Sequence, residues 1–362
     1  MGTMTHIAGR AAFSKAVDIV LKNADKDREK EITKLVDLME KYMGSEKIDV
    51  DYNKVKELIC DKDKTLNKYI NRLLDEINPH VLKTTALNLG YEAFFHGTKT
   101  IRKMREVHDC NVPWLILMDP TSACNLHCTG CWAAEYGNKL NLTFDEMDSV
   151  ITQGKELGIY LYMFTGGEPL VRKEDIIKLC KKHSDCAFLA YTNGTLVDEK
   201  LCEQMVEVGN FYLAISLEGF EAVNDLRRGN GVYGKVMHAM ELLKQYGLIF
   251  GTSICYTSKN IETVTSDEFV DLMVEKGCRY AFYFHYMPVG NDAAVELLPT
   301  MQQRIYMKDR VRQIRNMKDG KGIFTMDFQN DGEYVGGCIA GGRNYFHINA
   351  NGDAEPCVFI HY

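Results

Sequence analysis

The chain has 362 residues, 46% hydrophobic and 26% charged, with a formal net charge of −7 and a pI near 5.9. These values fit an ordinary globular chain of about two domains and give no electrostatic basis for nucleic-acid binding. No apolar run reaches the ~18 residues of a membrane span, Met1–Arg10 lacks the apolar core of a signal peptide, and the 12 Cys read as free thiols or metal ligands in a reducing compartment, so the expected location is cytoplasmic.

Residues 1–112 read as an N-terminal helical region. Ile32, Leu35, Val36 and Met39 fall on one face of a helix. Helical pattern returns over Tyr69–Leu74 and Val81–Val107. Lys and Glu fill the other faces, as on a solvated helical cap. The last part is basic and aromatic (Tyr91, Phe94, Phe95, Lys99, Arg102, Lys103, Arg105). That composition suits either plain surface or peripheral contact with a membrane.

From Trp114 the texture changes to alternating strand and helix. Six short apolar runs rich in Tyr, Phe, Ile and Leu predict strands: Trp114–Met118, Tyr160–Phe164, Phe188–Tyr191, Tyr212–Ser216, Phe250–Tyr256 and Arg279–Tyr286. Helical stripes separate them. Thr143 and Glu146 form a capping box, Asp198 and Ser266 are N-caps, and Gly158, Gly209, Gly247 and Gly277 end helices. Strand–helix alternation implies an α/β fold with parallel strands and helices outside. Six units are too few for a closed eight-fold barrel, so an open partial barrel and a doubly wound sheet both fit. This domain is expected over residues 113–325. Gly-rich turns and short strands predict a β-rich extension over 326–362.

The run Cys124-Asn125-Leu126-His127-Cys128-Thr129-Gly130-Cys131 follows the first strand. Among 12 Cys, two more at set offsets from any one of them are expected by chance only about 0.01 times. Three thiolates suit a [4Fe-4S] cube with one iron left open for chemistry. A structural zinc knuckle is the alternative, but zinc sites bring a second pair downstream. Here the next Cys is Cys180, with no pair spacing.

Polar signatures gather where the strands end: Thr165-Gly166-Gly167-Glu168-Pro169, Thr192-Asn193-Gly194, Ser216-Leu217-Glu218-Gly219, Lys259-Asn260 and Pro288-Val289-Gly290-Asn291. Barrel chemistry sits at that rim. With Cys124, Cys128 and Cys131 followed by Gly166-Gly167-Glu168-Pro169, the chain resembles the radical S-adenosylmethionine (radical SAM) enzymes over roughly residues 113–325. The resemblance implies a partial (β/α)6 barrel, a [4Fe-4S] cluster on the three Cys, and S-adenosylmethionine chelating the open iron. It implies that Glu168 accepts from the methionyl amino group, with Gly166 and Gly167 allowing close backbone approach, and that Asn193, Ser216 and Arg228 hold ribose and carboxylate. Reductive cleavage would then give methionine and a 5′-deoxyadenosyl radical that takes hydrogen from substrate. A small electron donor such as flavodoxin or ferredoxin is implied. One departure stands out. The family often has an aromatic residue just before the third Cys; this chain has Gly130 there and Trp132 after it, so Trp132 either replaces it against adenine or packs in the core.

Cys338 and Cys357 resemble the opening of a SPASM or twitch-type auxiliary-cluster extension. Two thiols cannot hold a second iron–sulfur cube alone, and two buried free Cys are the alternative. Cys255 and Cys278 read as core, Cys60, Cys180, Cys186 and Cys202 as helical, and Cys110 has no assigned role. Three readings follow: a radical SAM enzyme, a non-enzymatic iron–sulfur carrier or scaffold, and a zinc-binding module. Glu168 and its glycines separate the first from the others, since a carrier needs no methionine clamp. For substrate, auxiliary-cluster relatives suggest a peptide or protein, while the basic helix and Gly130 resemble members acting on hopanoid lipids.

Overall fold

The computed structural model describes residues 3–24, 26–43, 51–133, 137, 139–290 and 293–360. The chain begins with helices α1 (Thr3–Asn23), α2 (Arg28–Met43), α3 (Tyr52–Cys60), α4 (Thr65–Glu76), α5 (Pro79–Thr85), a π-helix (Ala86–Gly97) and α6 (Thr98–His108). The alternating part runs β1 (Leu115–Met118), α7 (Phe144–Leu157), β2 (Leu161–Phe164), α8 (Lys173–Lys182), β3 (Ala187–Thr192), α9 (Glu199–Val208) and β4 (Phe211–Ser216). It continues with α10 (Glu221–Arg228), α11 (Val232–Gln245), β5 (Phe250–Tyr256), α12 (Ile261–Val264), α13 (Asp267–Glu275), β6 (Tyr280–His285), α14 (Met301–Ile314) and β7 (Phe324–Asp327). Two short strands follow, β8 (Tyr345–Ile348) and β9 (Ala354–Glu355).

All six strands expected from the apolar runs form, each within one residue of its expected ends. The sheet order is β7-β6-β5-β4-β3-β2-β1-β8-β9. Every neighbouring pair is parallel except β8–β9. Consecutive strands being neighbours means that the chain winds in one direction. Strand side chains then alternate between two environments. Ile116, Met118, Phe188, Leu213, Ile215 and Ile254 pack outward among the helices. Leu115, Leu117, Leu189, Tyr212 and Ala214 face inward. Strands in sequence order, with the crossover helices packed on one face, make this an open partial barrel and not a doubly wound sheet.

The last strands do not form a separate cap. β7 extends one edge of the sheet, and β8 joins the other edge by pairing with β1, Leu115 against Tyr345 through Met118 against Ile348. Val358, with Ile339 and Phe359 beside it, packs on the inner face.

The caps read from sequence form. Thr143 and Glu146 close a reciprocal box at the start of α7. Asp198 accepts from Leu201 N–H at 2.8 Å and Ser266 from Phe269 N–H at 3.2 Å. On α7, Met147 and Ile151 are fully buried, each worth about 1.5–3 kcal/mol. Truncating Met147 to Ala would cost about 2–5 kcal/mol, because the helix could not collapse into the cavity.

In the helical region, Ile32, Val36 and Ile59 form a small core of their own; the Met39 side chain lies outside the described residues. The basic aromatic stretch is part packed and part exposed: Phe94, Lys99, Arg102 and Lys103 lie on the surface. Tyr91 is buried, Phe94 meets Trp114 at 4.9 Å, and Lys99 sits 3.9 Å over the Phe95 ring. No helix of the described residues is long and apolar enough to cross a membrane.

Candidate functional site at the carboxyl rim

The loop leaving β1 carries the three Cys, and the turn leaving β2 is stitched to it. Thr165 N–H donates to Met118 O (2.9 Å), Gly167 N–H to Thr121 O (3.0 Å) and Glu168 N–H to Ala123 O (2.8 Å). The β1–β2 ladder thus runs on to the residue before Cys124. Both glycines are needed for this contact. Gly166 has φ +100°, and a Cβ there would lie 2.5 Å from Thr121 O; one on Gly167 would lie 2.2 Å from Ala123 O. Their close neighbour is the chain's own backbone.

Cys124, Cys128 and Cys131 are half-buried and form no disulfide. Leu126 N–H donates to Cys124 Sγ at 3.4 Å, and Arg228 Nη1 lies 3.9 Å from Cys128 Sγ. Burial pushes the Cys124 thiol up to about 11, with the Leu126 N–H working against it. Burial also lifts Cys128, and Arg228 opposes this. Among the described residues, the three-donor group whose ligand atoms all lie within 4.8 Å of one another is His6, Glu92 and His96. There the His6 and His96 rings stack 3.7 Å apart at 10°, so their ring planes do not converge on one ion. The three Cys are not among the groups whose ligand atoms all lie within 4.8 Å of one another. Three thiols on one loop, with an N–H and a guanidinium directed at two of them, fit a [4Fe-4S] cluster.

Glu168 is 1% exposed. Its Oε1 accepts from Leu170 N–H (2.9 Å) and Thr192 Oγ1 (2.6 Å), and its Oε2 from Asn193 N–H (2.7 Å). Burial raises its carboxyl above the usual range, and these three donors oppose that rise. A carboxylate offers about four acceptor positions, so Oε2 keeps one for a ligand donor. Asn193 donates to Asn125 Oδ1 at 2.8 Å and accepts from Thr195 through its own Oδ1. It therefore ties the β3 loop to the stretch between Cys124 and Cys128. Ser216 ends β4, half-buried, with Ser253 as its β5 partner; it shares the inward face with Tyr212 and Ala214.

Arg228 is half-buried, its side chain 11% exposed, and is paired with Glu218. Arg227 joins the same carboxylate. Cys255, read as core, is half-buried on β5, and its N–H donates to Glu218 Oε2 at 3.1 Å. Gly130 (φ +67°) has no room for a side chain, because a Cβ would sit 2.5 Å from the Tyr286 hydroxyl. Trp132 meets His347 and Phe359 edge-on at 6.5 and 6.1 Å, so it packs on the carboxyl-terminal segment. His347 is fully buried between Asp119 and Glu355. Asn291, at the end of the rim motif after β6, lies outside the described residues.

Cys338 and Cys357 are placed elsewhere. Cys357 Sγ lies 3.6 Å from the Tyr345 hydroxyl. Burial lifts that hydroxyl first, and both Cys add to the rise, so the two thiols bear on one ring. Tyr345 pairs with Leu115 at the start of β1, about 10 Å along the strand from the rim.

The sequence placed Glu218 among the rim signatures without giving it a role, took Tyr286 only as the end of a strand, and did not single out Arg227, Asp119 or His347. For Glu218 a signal existed: an acid at a strand end, then an Arg pair nine and ten residues on.

Residues 118–279 match the family model of the Radical SAM superfamily. The chain is 24% identical over 233 residues to the Fe-coproporphyrin III synthase of Methanosarcina barkeri, covering 61% of this chain and 57% of that one. It is 26% identical over 258 residues to the PqqA peptide cyclase of Granulibacter bethesdensis, covering 68% and 67%. The crystal structure of Streptococcus suis SuiB bound to precursor peptide SuiA aligns with a TM-score of 0.58 at 18% identity, covering 78% of this chain and 65% of that one. The chain spans little more than half the length of the first of these relatives.

Proposed function

We propose, from the match of residues 118–279 to the Radical SAM superfamily model, that the chain is a radical SAM enzyme holding a [4Fe-4S] cluster on Cys124, Cys128 and Cys131 and S-adenosylmethionine at the open iron. Held there, a cluster of that kind would supply the low-potential electron for reductive cleavage of the sulfonium to methionine and a 5′-deoxyadenosyl radical able to take hydrogen from substrate. The protein's own part is orientation. Glu168 Oε2 presents a free acceptor position to the methionyl ammonium. Gly166 and Gly167 keep that turn flat against the cysteine loop. Asn193 and Ser216 stand on the inner rim, where ribose hydroxyls would lie, and Arg228 stands beside Cys128 for the carboxylate. The apolar inner face below the rim excludes water from the reacting centre.

One observation carries the reading: the Gly166-Gly167-Glu168 turn is hydrogen-bonded to the loop of the three Cys at the carboxyl end of neighbouring parallel strands. The test is anaerobic reconstitution with iron and sulfide, then reduction with S-adenosylmethionine present. A sulfide-to-iron absorption band and 5′-deoxyadenosine are expected. An intact cluster that yields no deoxyadenosine would sink the assignment.

Peptides are the proposed substrate class. Support comes from a relative named for a peptide cyclase and a fold neighbour crystallised with its precursor peptide. The Fe-coproporphyrin III synthase keeps a tetrapyrrole as the second reading. Cys338 and Cys357, gathered on Tyr345, are proposed as part of a second iron–sulfur site. A flavodoxin or ferredoxin as donor and a cytoplasmic location complete the proposal. Mass spectrometry of candidate precursor peptides after reduced turnover checks the substrate class; deoxyadenosine released without any change in peptide mass would count against it.

A further inference from the structure

Glu218 has no part in holding the cluster or S-adenosylmethionine in that scheme, yet it is the most constrained acid at the rim. It is 1% exposed, two residues past β4. Its Oε1 accepts from Arg227 Nη1 at 2.6 Å and Arg228 Nε at 2.9 Å, and Arg228 Nη2 adds a third bond. Its Oε2 accepts from Cys255 N–H. Its own N–H donates to Asn224 Oδ1 and its carbonyl accepts from Asn260 Nδ2, both at 3.1 Å. Both arginines are nearly buried, at 13% and 11% exposed.

Two guanidiniums against one carboxylate leave one positive charge in surplus. Burying an unbalanced charge is costly, and Arg side chains normally reach for water. These two instead turn toward the cysteine loop. Arg228 Nη1 lies 3.9 Å from Cys128 Sγ, and the Arg227 carbonyl accepts from Thr129 N–H at 2.9 Å. The last turn of α10 thus grips the segment between Cys128 and Cys131 twice, once by charge and once by main chain. Glu168 lies within electrostatic reach of Arg228, and the thiols of the loop are other groups there that can carry negative charge.

We propose that Glu218 is a positioning residue that holds Arg227 and Arg228 as a buried cationic unit against Cys128, and that this unit sets the reduction potential of the cluster. The proposal rests on the radical SAM reading. The sign follows from electrostatics: reduction adds negative charge, so neighbouring positive charge raises the potential. Removing a guanidinium therefore makes the cluster harder to reduce, and removing the carboxylate makes it easier.

The experiment is a potentiometric titration of the reconstituted full chain, followed by electron paramagnetic resonance. Arg228→Gln and Arg227→Gln are expected to lower the midpoint potential relative to wild type, and Glu218→Gln to raise it. Opposite signs are a signature that a purely structural role would not produce. Should Glu218→Gln fail to fold, the downward shifts of the two Arg variants decide the matter. Potentials that stay put, or move in the same direction in all three variants, overturn the proposal while wild-type deoxyadenosine production leaves the superfamily reading standing. Wild-type protein that takes up no cluster overturns both.

Discussion

Two glutamates end neighbouring regions of one rim and are equally buried, yet their partners differ in kind. Glu168, on the β2 side, meets only neutral donors: a hydroxyl and two backbone N–H groups. Glu218, on the β4 side, meets two guanidiniums and a backbone N–H. A carboxylate surrounded by neutral dipoles keeps its charge unpaired and can still attract a cation from outside. A carboxylate between two arginines has no charge left to offer and serves as an anchor. The contrast separates a carboxylate with acceptor capacity to spare from one taken up by two arginines.

The sharpest way to break this picture is to remove what both sides surround. Cys128→Ala is expected to abolish cluster assembly and all deoxyadenosine formation, read by absorption and product analysis; wild-type-like cleavage would refute the assignment. Next in size is Glu218→Ala, which strands two buried guanidiniums. It should cost about 3–5 kcal/mol of stability, measured by urea unfolding of the cluster-free chain. Glu168→Ala should retain the cluster and weaken S-adenosylmethionine binding by roughly 10–100-fold, the worth of a charge-assisted hydrogen bond; an unchanged dissociation constant would contradict its ligand-facing role. Thr192→Val removes one neutral donor from Glu168 and should change stability by about 0.5–1.5 kcal/mol.

The smallest effect concerns a third buried acid–base group. His347 lies 2.9 Å from both Asp119 and Glu355. Burial disfavours its charged form, but the two carboxylates outweigh it and hold the imidazole above its usual value. A folded-state value above the unfolded one, about 6.5, means stability fully present below that pH and lost as pH rises through the folded value. Wild type should therefore lose stability relative to His347→Gln as pH is raised past neutrality. A gap between the two that does not change with pH would remove the charge from the argument.

Much of this was legible in the residues. The six core strands declared themselves because each is a short run of aromatic and branched side chains, set apart by capped helices such as Thr143–Glu146. The cysteine spacing and the Gly-Gly-Glu turn could be read because both are local. What the sequence hid is long-range. β8 is four residues long, and its pairing with β1 across more than two hundred positions leaves no local mark. Asp119 and His347 meet only because of that register. Trp132, a candidate for the adenine face, instead packs on His347 and Phe359. Gly130 was visible as a departure, but its cause, the Tyr286 hydroxyl pressed against it, arrives from the far end of β6. Arg228 was placed at the right rim, but its pairing with Glu218 depends on how α10 folds back over the end of β4.

The position of β8 has a practical consequence. Tyr345–Ile348 shields the main chain of Leu115–Met118, the strand from which the cysteine loop departs. A chain trimmed before Tyr345 would bare those amide and carbonyl groups, and exposed strand margins of that kind recruit other strands. Such a shortened protein is expected to self-associate directly beneath the cysteine loop, read as a larger sedimentation coefficient than that of the full chain.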